Sequence, residues 1–339
     1  MPAKSKGSVQ ERPTLFPVMQ NGRIGYIGED GKVLVPSQFN AGAGESSAML
    51  NELAVRAFRE GLAPVQSGTM WGYIDPEGKI IIDPQFEEAG AFQQGLAPVK
   101  IDGRWGFIDE SGNIAINPRF DKVGHFSTGL APVFSEGKWG FVDKKGEIAI
   151  HPQFEDVAGT DWTETGHPEE GRGHFAEGLA GVKSGDKWGY IDKTGALAIK
   201  PQFDQADNFY EGLAGVRLGR KWGFINKTGD YVINPQFEDI GGFGDGMAPV
   251  NHEGKWGYVD KKGEWVAQPQ FDDAYSFRSE MAAVKFEGRW GFVDTKGKYV
   301  ITPQFDEAGN FEEGLAMVRR GQQWGYIDEE GSFVWNPTD

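Results

Sequence analysis

The sequence predicts an all-β fold: a tandem array of nine three-stranded antiparallel β-meander repeats of about 34 residues, stacked as an open superhelix or solenoid. Three observations predict it. The stretch WGYIDPEGKIIIDPQF from Trp71 recurs as WGFIDESGNIAINPRF from Trp105 and WGFVDKKGEIAIHPQF from Trp139. Further copies start at Trp188, Trp222, Trp256, Trp290 and Trp324, with a worn copy at Ile24. The 50 glycines and 18 prolines favour turns and short strands over helices. The 24 Phe and 11 Trp supply an aromatic core large enough to order the chain. The rival arrangement is a closed propeller-like ring. Propeller blades usually have four strands and about 40–45 residues, and no unit is split between the termini to latch a ring.

Residues 1–14 are polar and read as a tail, and 15–339 as one continuous array. Each unit opens with a short strand such as Leu96–Val99 (LAPV), where Pro marks a position that needs no N–H donor. A tight Gly turn follows, then the strand WGFID. Alternation there places Trp105 and Phe107 on one face and Gly106 on the other. The bare glycine is expected to accept a Trp ring of the adjacent unit. That expectation assigns a structural role to Trp71, Gly72, Trp105, Gly106, Trp139, Gly140, Trp188, Gly189, Trp222, Gly223, Trp256, Gly257, Trp290, Gly291, Trp324 and Gly325.

The Asp-x-x-Gly turn comes next, as in Asp109 with Gly112. Asp suits the first position of a type I turn and Gly the last, so the Asp row reads as turn chemistry. The third strand, such as Lys79–Pro84, has three successive apolar residues, which predicts an innermost strand buried on both faces and ended by Pro. The connector follows, as in QFDEAGNFEEG at 304–314. Phe203, Ala206 and Phe209 at three-residue spacing predict a single helical turn there. In the outermost units, Ile24 for Trp and Trp335 for Ile read as capping substitutions.

The motifs [KR]-W-G-[FY]-[IV]-D, P-Q-F-[DE] and F-x-x-G-L-A-x-V together resemble the bacterial WG-repeat family, also called KWG repeats. The resemblance covers the chain from about Leu15 to its end. It departs at Ile24, at Ser279–Met281, where the glycine is lost, and at two insertions. It implies β-rich repeats and a role in interaction, with no shared active site.

The insertions, at about 40–57 and 155–174, are the best candidates for specific function, because functional loops tend to interrupt a rigid scaffold. In the first, Ser46 or Ser47 caps an expected helix over 48–57, with Met49 and Leu53 on a rough apolar stripe. It reads as an end cap or a partner-docking helix. The second is polar and holds Asp161, Trp162, Glu164, His167, Glu169, Glu170 and His174. It reads as a solvated or recognition loop, with Trp162 as the anchor of any partner contact. Its two His stand seven apart, matching no fixed metal-ligand spacing. With three units per superhelical turn, the two insertions would lie side by side.

The formal net charge of −16 opposes binding to nucleic acid or anionic membrane and favours, if anything, a basic partner. No cysteine is present, which removes thiolate and disulfide chemistry and fits a reducing compartment. The first 13 residues lack an apolar h-region, and no apolar run approaches the ~20 residues of a membrane helix. Cytoplasm is therefore the expected location. No phosphate-cradling loop or catalytic triad emerges, and His125, His151 and His252 read as exposed bystanders. The expected function is a non-catalytic protein–protein interaction scaffold with no cofactor and no metal. The alternatives are a carbohydrate-binding module using Trp162, Trp265 or Trp335, and a metal enzyme built on the second insertion.

Overall fold

A computed structural model of the 339-residue chain describes residues 14–41, 56–158 and 174–336. These residues form nine antiparallel sheets, seven of four strands and two of three. The sheets are the blades of a closed propeller. The expected open superhelix is thereby corrected to the ring that was its rival. Helix is absent from the described residues, so no helix there is long and apolar enough to cross a membrane.

Blade 3 shows the plan. Its inner strand is Glu88–Ala89, its second Leu96–Ile101, its third Arg104–Asp109 and its outer Ile114–Phe120, paired in that order. The fourth strand is the feature the sequence reading missed. The connector supplies it: Gln205–Tyr210, expected as a helical turn, is an inner strand. A 34-residue unit can make a four-stranded blade because its first two hairpins close on two-residue turns and its third on four residues, 110–113 in blade 3. In the second hairpin turn of blade 3, Asp102 and Gly103 both have positive φ, at 50° and 74°.

The outer strand differs from expectation in two ways. It is the rim of the blade, not its centre, so Ile80 and Ile81 are 42% and 43% exposed while Ile82 is buried. Nor does it end at Pro. It runs through Pro84 to Phe86, and the register jumps: Tyr73 faces Ile82 while Trp71 faces Phe86. Two residues of the third strand thus span four of the outer strand. A bulge at proline loses no donor, because Pro has none. The strand buried on both faces is the third, where Trp105 to Ile108 are all buried.

The bulge explains the invariant-looking Trp–Gly step within this chain. A Cβ on Gly106 would lie 2.4 Å from the Ile116 carbonyl oxygen and 2.7 Å from Pro118 N. The glycine therefore admits the bulged backbone of its own blade, not an indole of the next. W-G and P-x-F are two halves of one feature.

Blades join through repeated contacts. An aromatic of each third strand meets the connector Phe of the next blade: Phe107 with Phe126, Phe141 with Phe175, Tyr258 with Phe277, at centroid distances of 4.8, 5.1 and 4.7 Å. Where that aromatic is Tyr, its hydroxyl donates to a connector carbonyl, as Tyr73 to Gly90 (2.8 Å) and Tyr190 to Asp207 (2.7 Å). The turn glycine of each blade abuts the buried apolar residue of the preceding outer strand, Gly112 against Ile82 and Gly146 against Ile116.

Blade 9 packs on blade 1 by the same rules without exchanging a strand. Blade 1 begins at its second strand, Leu15–Gln20, and has no inner strand among the described residues. Phe16 stands where other units have Ala, and its ring meets Tyr326 at 5.5 Å. The Tyr326 hydroxyl donates to the Pro17 carbonyl at 2.9 Å. In blade 3 the equivalent Pro98 carbonyl accepts the Gly90 N–H. Trp335 is 8% exposed and shares one core with Leu15, Phe16 and Tyr26. It is a closure residue, which removes it as a sugar platform.

Candidate interaction surface

The Trp-Gly tryptophans are largely internal. Trp71, Trp105, Trp139, Trp188, Trp290 and Trp324 are buried, and Trp222 and Trp256 are half-buried. Each lies in a row that crosses its blade. In blade 3, Glu88 on the inner strand pairs with Lys100, Lys100 with Trp105, and Trp105 with Phe120. Lys100 Nζ stands 6.0 Å from the indole centroid and 2.7 Å from Glu88 Oε1. Arg319 repeats this over Trp324, at 5.9 Å, with its guanidinium 2.6 Å from Glu307. Arg217 and Lys285 cover Trp222 and Trp290. In blade 2, where Gln66 occupies the cross-strand position, Arg56 covers Trp71 from the connector at 4.8 Å. In blade 4 the Phe134 ring takes this place over Trp139. Lys183 faces Trp188. In blade 7 the cross-strand residue is Asn251.

Acidic residues of both connector ends are occupied as ties between blades. The carboxylate after P-Q-F pairs with the cation before Trp in its own blade and accepts an N–H from the next blade's hairpin. Asp204 does so with Lys187 (2.5 Å) and Gly219 N (2.6 Å), and Asp272 with Lys255 (2.6 Å) and Gly288 N (3.0 Å). The side-chain hydrogen bond from Lys187, then the Gly219 N–H, hold Asp204 below the usual carboxylate range. The Lys255 hydrogen bond does the same for Asp272. On the opposite face, Glu60 accepts the N–H groups of Gln94 and Gly95, both at 2.7 Å, and Asp245 that of Glu280. The Asp-x-x-Gly aspartates cap their own turns: Asp109 Oδ1 accepts from Ser111 N and Asn113 N at 2.9 Å.

What remains open is the rim. Val33, Leu34, Ile80, Ile81, Ile114, Leu197, Val232, Val266 and Val300 are exposed at the start of the outer strands. They occupy one or both of the positions before the buried inward residue of the outer strand, in seven of the blades. Sequence reasoning placed them inside. The signal that would have found them is the Pro bulge, which marks an edge strand.

Asp161, Trp162, Glu164, His167, Glu169 and Glu170, and Met49 and Leu53, lie outside the described residues, as do residues 48–55 of the helix expected over 48–57, whose last two residues, Arg56 and Ala57, form a turn and a bend. The flanks are described. Ala41 and Arg56 bracket the first insertion, at the passage from blade 1 to blade 2, and Ala158 and His174 the second, before the second strand of blade 5. These flanks belong to different blades of the ring, so the superhelical condition under which the insertions were expected side by side is not met. Burial pushes the His174 imidazole below its ordinary range. His125 is 6% exposed and so no surface bystander, and His252 is half-buried against Phe237 and Trp265, while His151 is exposed. No group of three or more His, Asp or Glu suited to a metal occurs among the described residues.

Among solved structures, the chain is similar to one described as a crystal structure of the eukaryotic initiation factor. That match has 10% identity over 96% of each chain and a TM-score of 0.62. It speaks to the fold alone. Kluyveromyces lactis Hsv2p matches with 8% identity over 72% of this chain and 94% of its own, at a TM-score of 0.42. PorZ of the type-IX secretion system of Porphyromonas gingivalis matches with 11% identity over 97% of this chain and 51% of its own, at 0.34. No curated protein matches. The family model described as "WG containing repeat" matches residues 71–105, 105–139, 139–164, 173–188, 188–222, 222–256, 256–290 and 290–323. Those segments take in well over half of the chain, and they coincide with the Trp-to-Trp units that build the blades: the chain belongs to the WG containing repeat family.

Proposed function

We propose that this propeller is a non-catalytic scaffold that binds another protein through its outer surface. The observation that carries the reading is the recurring exposed apolar position on the outer strands. Ile81, Val232 and Val300 are each more than 40% exposed at equivalent positions of blades 2, 6 and 8, and Ile80 adds a neighbouring exposed side chain in blade 2. Exposed apolar side chains that recur at one position of a repeated strand suit a partner that spans several blades. Most connector carboxylates and Trp-Gly indoles are engaged within or between blades, and no group of three or more His, Asp or Glu suited to a metal occurs among the described residues. The net charge of −16 favours a partner with a basic surface. The second insertion is the other candidate contact.

The test is affinity purification from the native cells followed by mass spectrometry, with two altered proteins beside the wild type. One carries Ile80→Thr, Ile81→Thr, Val232→Thr and Val300→Thr. The other has residues 159–173 replaced by a short Gly-Ser linker. A partner lost with either alteration, while the circular dichroism and melting of the ring are kept, supports the scaffold. Partners retained by both proteins count against it.

A further inference from the structure

Blade 7 lacks a cation that five of its sister blades carry on the second strand opposite the Trp. In blades 3, 8 and 9 an acidic inner-strand residue, a second-strand cation and the Trp are consecutive cross-strand neighbours: Glu88–Lys100–Trp105, Asp273–Lys285–Trp290 and Glu307–Arg319–Trp324. The cation stands about 6 Å from the indole centroid in each, at 6.0, 5.9 and 5.9 Å. Blade 7 keeps both ends of the row and drops its middle. Asp239 pairs with Asn251, and Asn251 with Trp256. The Asn251 side chain turns to the hairpin, where its Oδ1 accepts the Gly254 N–H at 3.2 Å. Asp239 is exposed, and its Oδ1 accepts the Ile240 N–H. Among the described residues it forms no ion pair, and no cation stands over Trp256. The indole is half-buried, whereas Trp105, Trp290 and Trp324 are buried.

A half-open indole face beside an exposed carboxylate is the chemistry that recognises an organic cation. The ring quadrupole attracts an ammonium or guanidinium, and the carboxylate fixes its N–H groups. We propose that blade 7 receives a lysine or arginine side chain from a partner protein, in the place that Lys100, Lys285 and Arg319 fill in their own blades. The guest sits between Asp239 and the Trp256 indole. The inference rests on the scaffold reading and names one contact of the partner. Asn251 is the specificity-determining residue, because a long cation there would occupy the site from within. The second-strand position that Asn251 occupies holds Lys or Arg in five blades, so the ring tolerates that change.

The experiment uses the full chain labelled with ¹⁵N-tryptophan, whose 11 indole N–H signals are followed by NMR. The probe is the peptide Gly-Ser-Gly-Arg-Gly-Ser-Gly, with a citrulline peptide of the same shape and no charge as its control. The Trp256 signal is assigned by Trp256→Phe. The expected result is a saturable shift of the Trp256 signal with the arginine peptide and none with citrulline. Asn251→Lys lowers the affinity at least tenfold and raises the melting temperature, whereas Asn251→Gln leaves the affinity within twofold. Asp239→Asn weakens binding severalfold. Because Asn251→Lys changes a net charge of −16 by one unit, general attraction to the peptide is nearly unaltered. The proposal is overturned by a static Trp256 signal, by equal shifts at several indoles, or by unchanged binding to Asn251→Lys. In any of those cases a native partner lost with the rim variants still supports the scaffold, so the two readings fail separately.

Discussion

Replacing Gly106 by Ala is a sharp test of how these blades are built. The φ of Gly106 is not in the left-handed region, so backbone strain does not protect the position. Space does. The added Cβ would meet the Ile116 oxygen at 2.4 Å, Pro118 N at 2.7 Å and Pro118 Cα at 2.9 Å. All three are backbone atoms of the bulge, so relief requires the outer strand to move. Overpacking a core by one methyl typically costs about 1–3 kcal/mol. With three rigid contacts the expected loss is at the upper end, about 3 kcal/mol. Gly103 is the control. It has φ +74° and nothing within 4 Å of its Cβ, so Gly103→Ala meets only the left-handed penalty of about 1–2 kcal/mol. Urea denaturation followed by tryptophan fluorescence ranks the two. Gly106→Ala should show the lower midpoint, although glycine φ alone predicts the opposite order. A midpoint for Gly106→Ala at or above that of Gly103→Ala would refute the coupling of W-G to the proline bulge.

Other outcomes follow from the contacts. Phe16→Ala should cost about 3–5 kcal/mol, the usual range for a core Phe, and hydrogen exchange should then show blades 1 and 9 losing protection before blades 3–8. Tyr326→Phe leaves the Pro17 carbonyl without its donor and should cost about 1–3 kcal/mol in thermal or urea unfolding. Asp204, Glu238 and Asp272 have folded pKa values below their unfolded ones. Their stabilisation is therefore complete above the unfolded value, near 4, and is lost as pH falls through the lower folded values. Melting temperatures measured from pH 6 down to 2 should decline only below about pH 4. Burial raises Tyr26, Tyr73, Tyr190, Tyr258 and Tyr326 far above ordinary phenol range, so the folded ring holds their protons more tightly than the unfolded chain. Stability should fall as pH rises past the unfolded value near 10, and absorbance at 295 nm should show these phenols ionising together with unfolding.

The periodicity of Trp71, Trp105 and Trp139 was enough to read nine repeats of antiparallel strands and the Asp-x-x-Gly turns. The radial order of strands was not legible from it. Three successive apolar residues, as in Ile80–Ile82, are equally compatible with a doubly buried strand and with a rim strand that contributes one residue inward. Only the tertiary pairing chooses. The inner strand escaped because Glu88–Ala89 is two residues long, below any alternation a sequence can display. The helical spacing of Phe203, Ala206 and Phe209 has a different cause. The register shift between Ala206 and Phe209 in Gln205–Tyr210 lets Ala206 and Phe209 both turn inward. Of the candidate surface, the flanks of the insertions were legible, whereas the exposed rim and the vacancy at Asn251 needed the blades to be superimposed. The Asn is visible in the sequence, as a polar uncharged residue, like Gln66 in blade 2, at a position that holds Lys100, Lys183, Arg217, Lys285 and Arg319 in other blades. Its meaning is not, until cross-strand pairing places those residues over indoles.

The terminal units also carried a signal for closure that was read the other way. Ile24 and Trp335 look like caps, yet a cap on an open stack has to present a polar outer face to water. Ile24 stays apolar and buried, and two other positions gain apolar bulk. Phe16 takes the place of an alanine that in blade 3 is Ala97, and Trp335 the place of an isoleucine such as Ile82. Both additions would be exposed at the free ends of a superhelix, where a bare Phe and Trp invite association. On a ring they meet in one core. Each internal junction has a connector Phe against a third-strand aromatic. At the junction of blades 9 and 1, among the described residues, Phe16 supplies the ring from the second strand, and Tyr326 finds its acceptor at Pro17 in place of a connector carbonyl. Opposite ends of a repeat chain that both grow more apolar therefore argue for closure, even where no strand is exchanged between the termini.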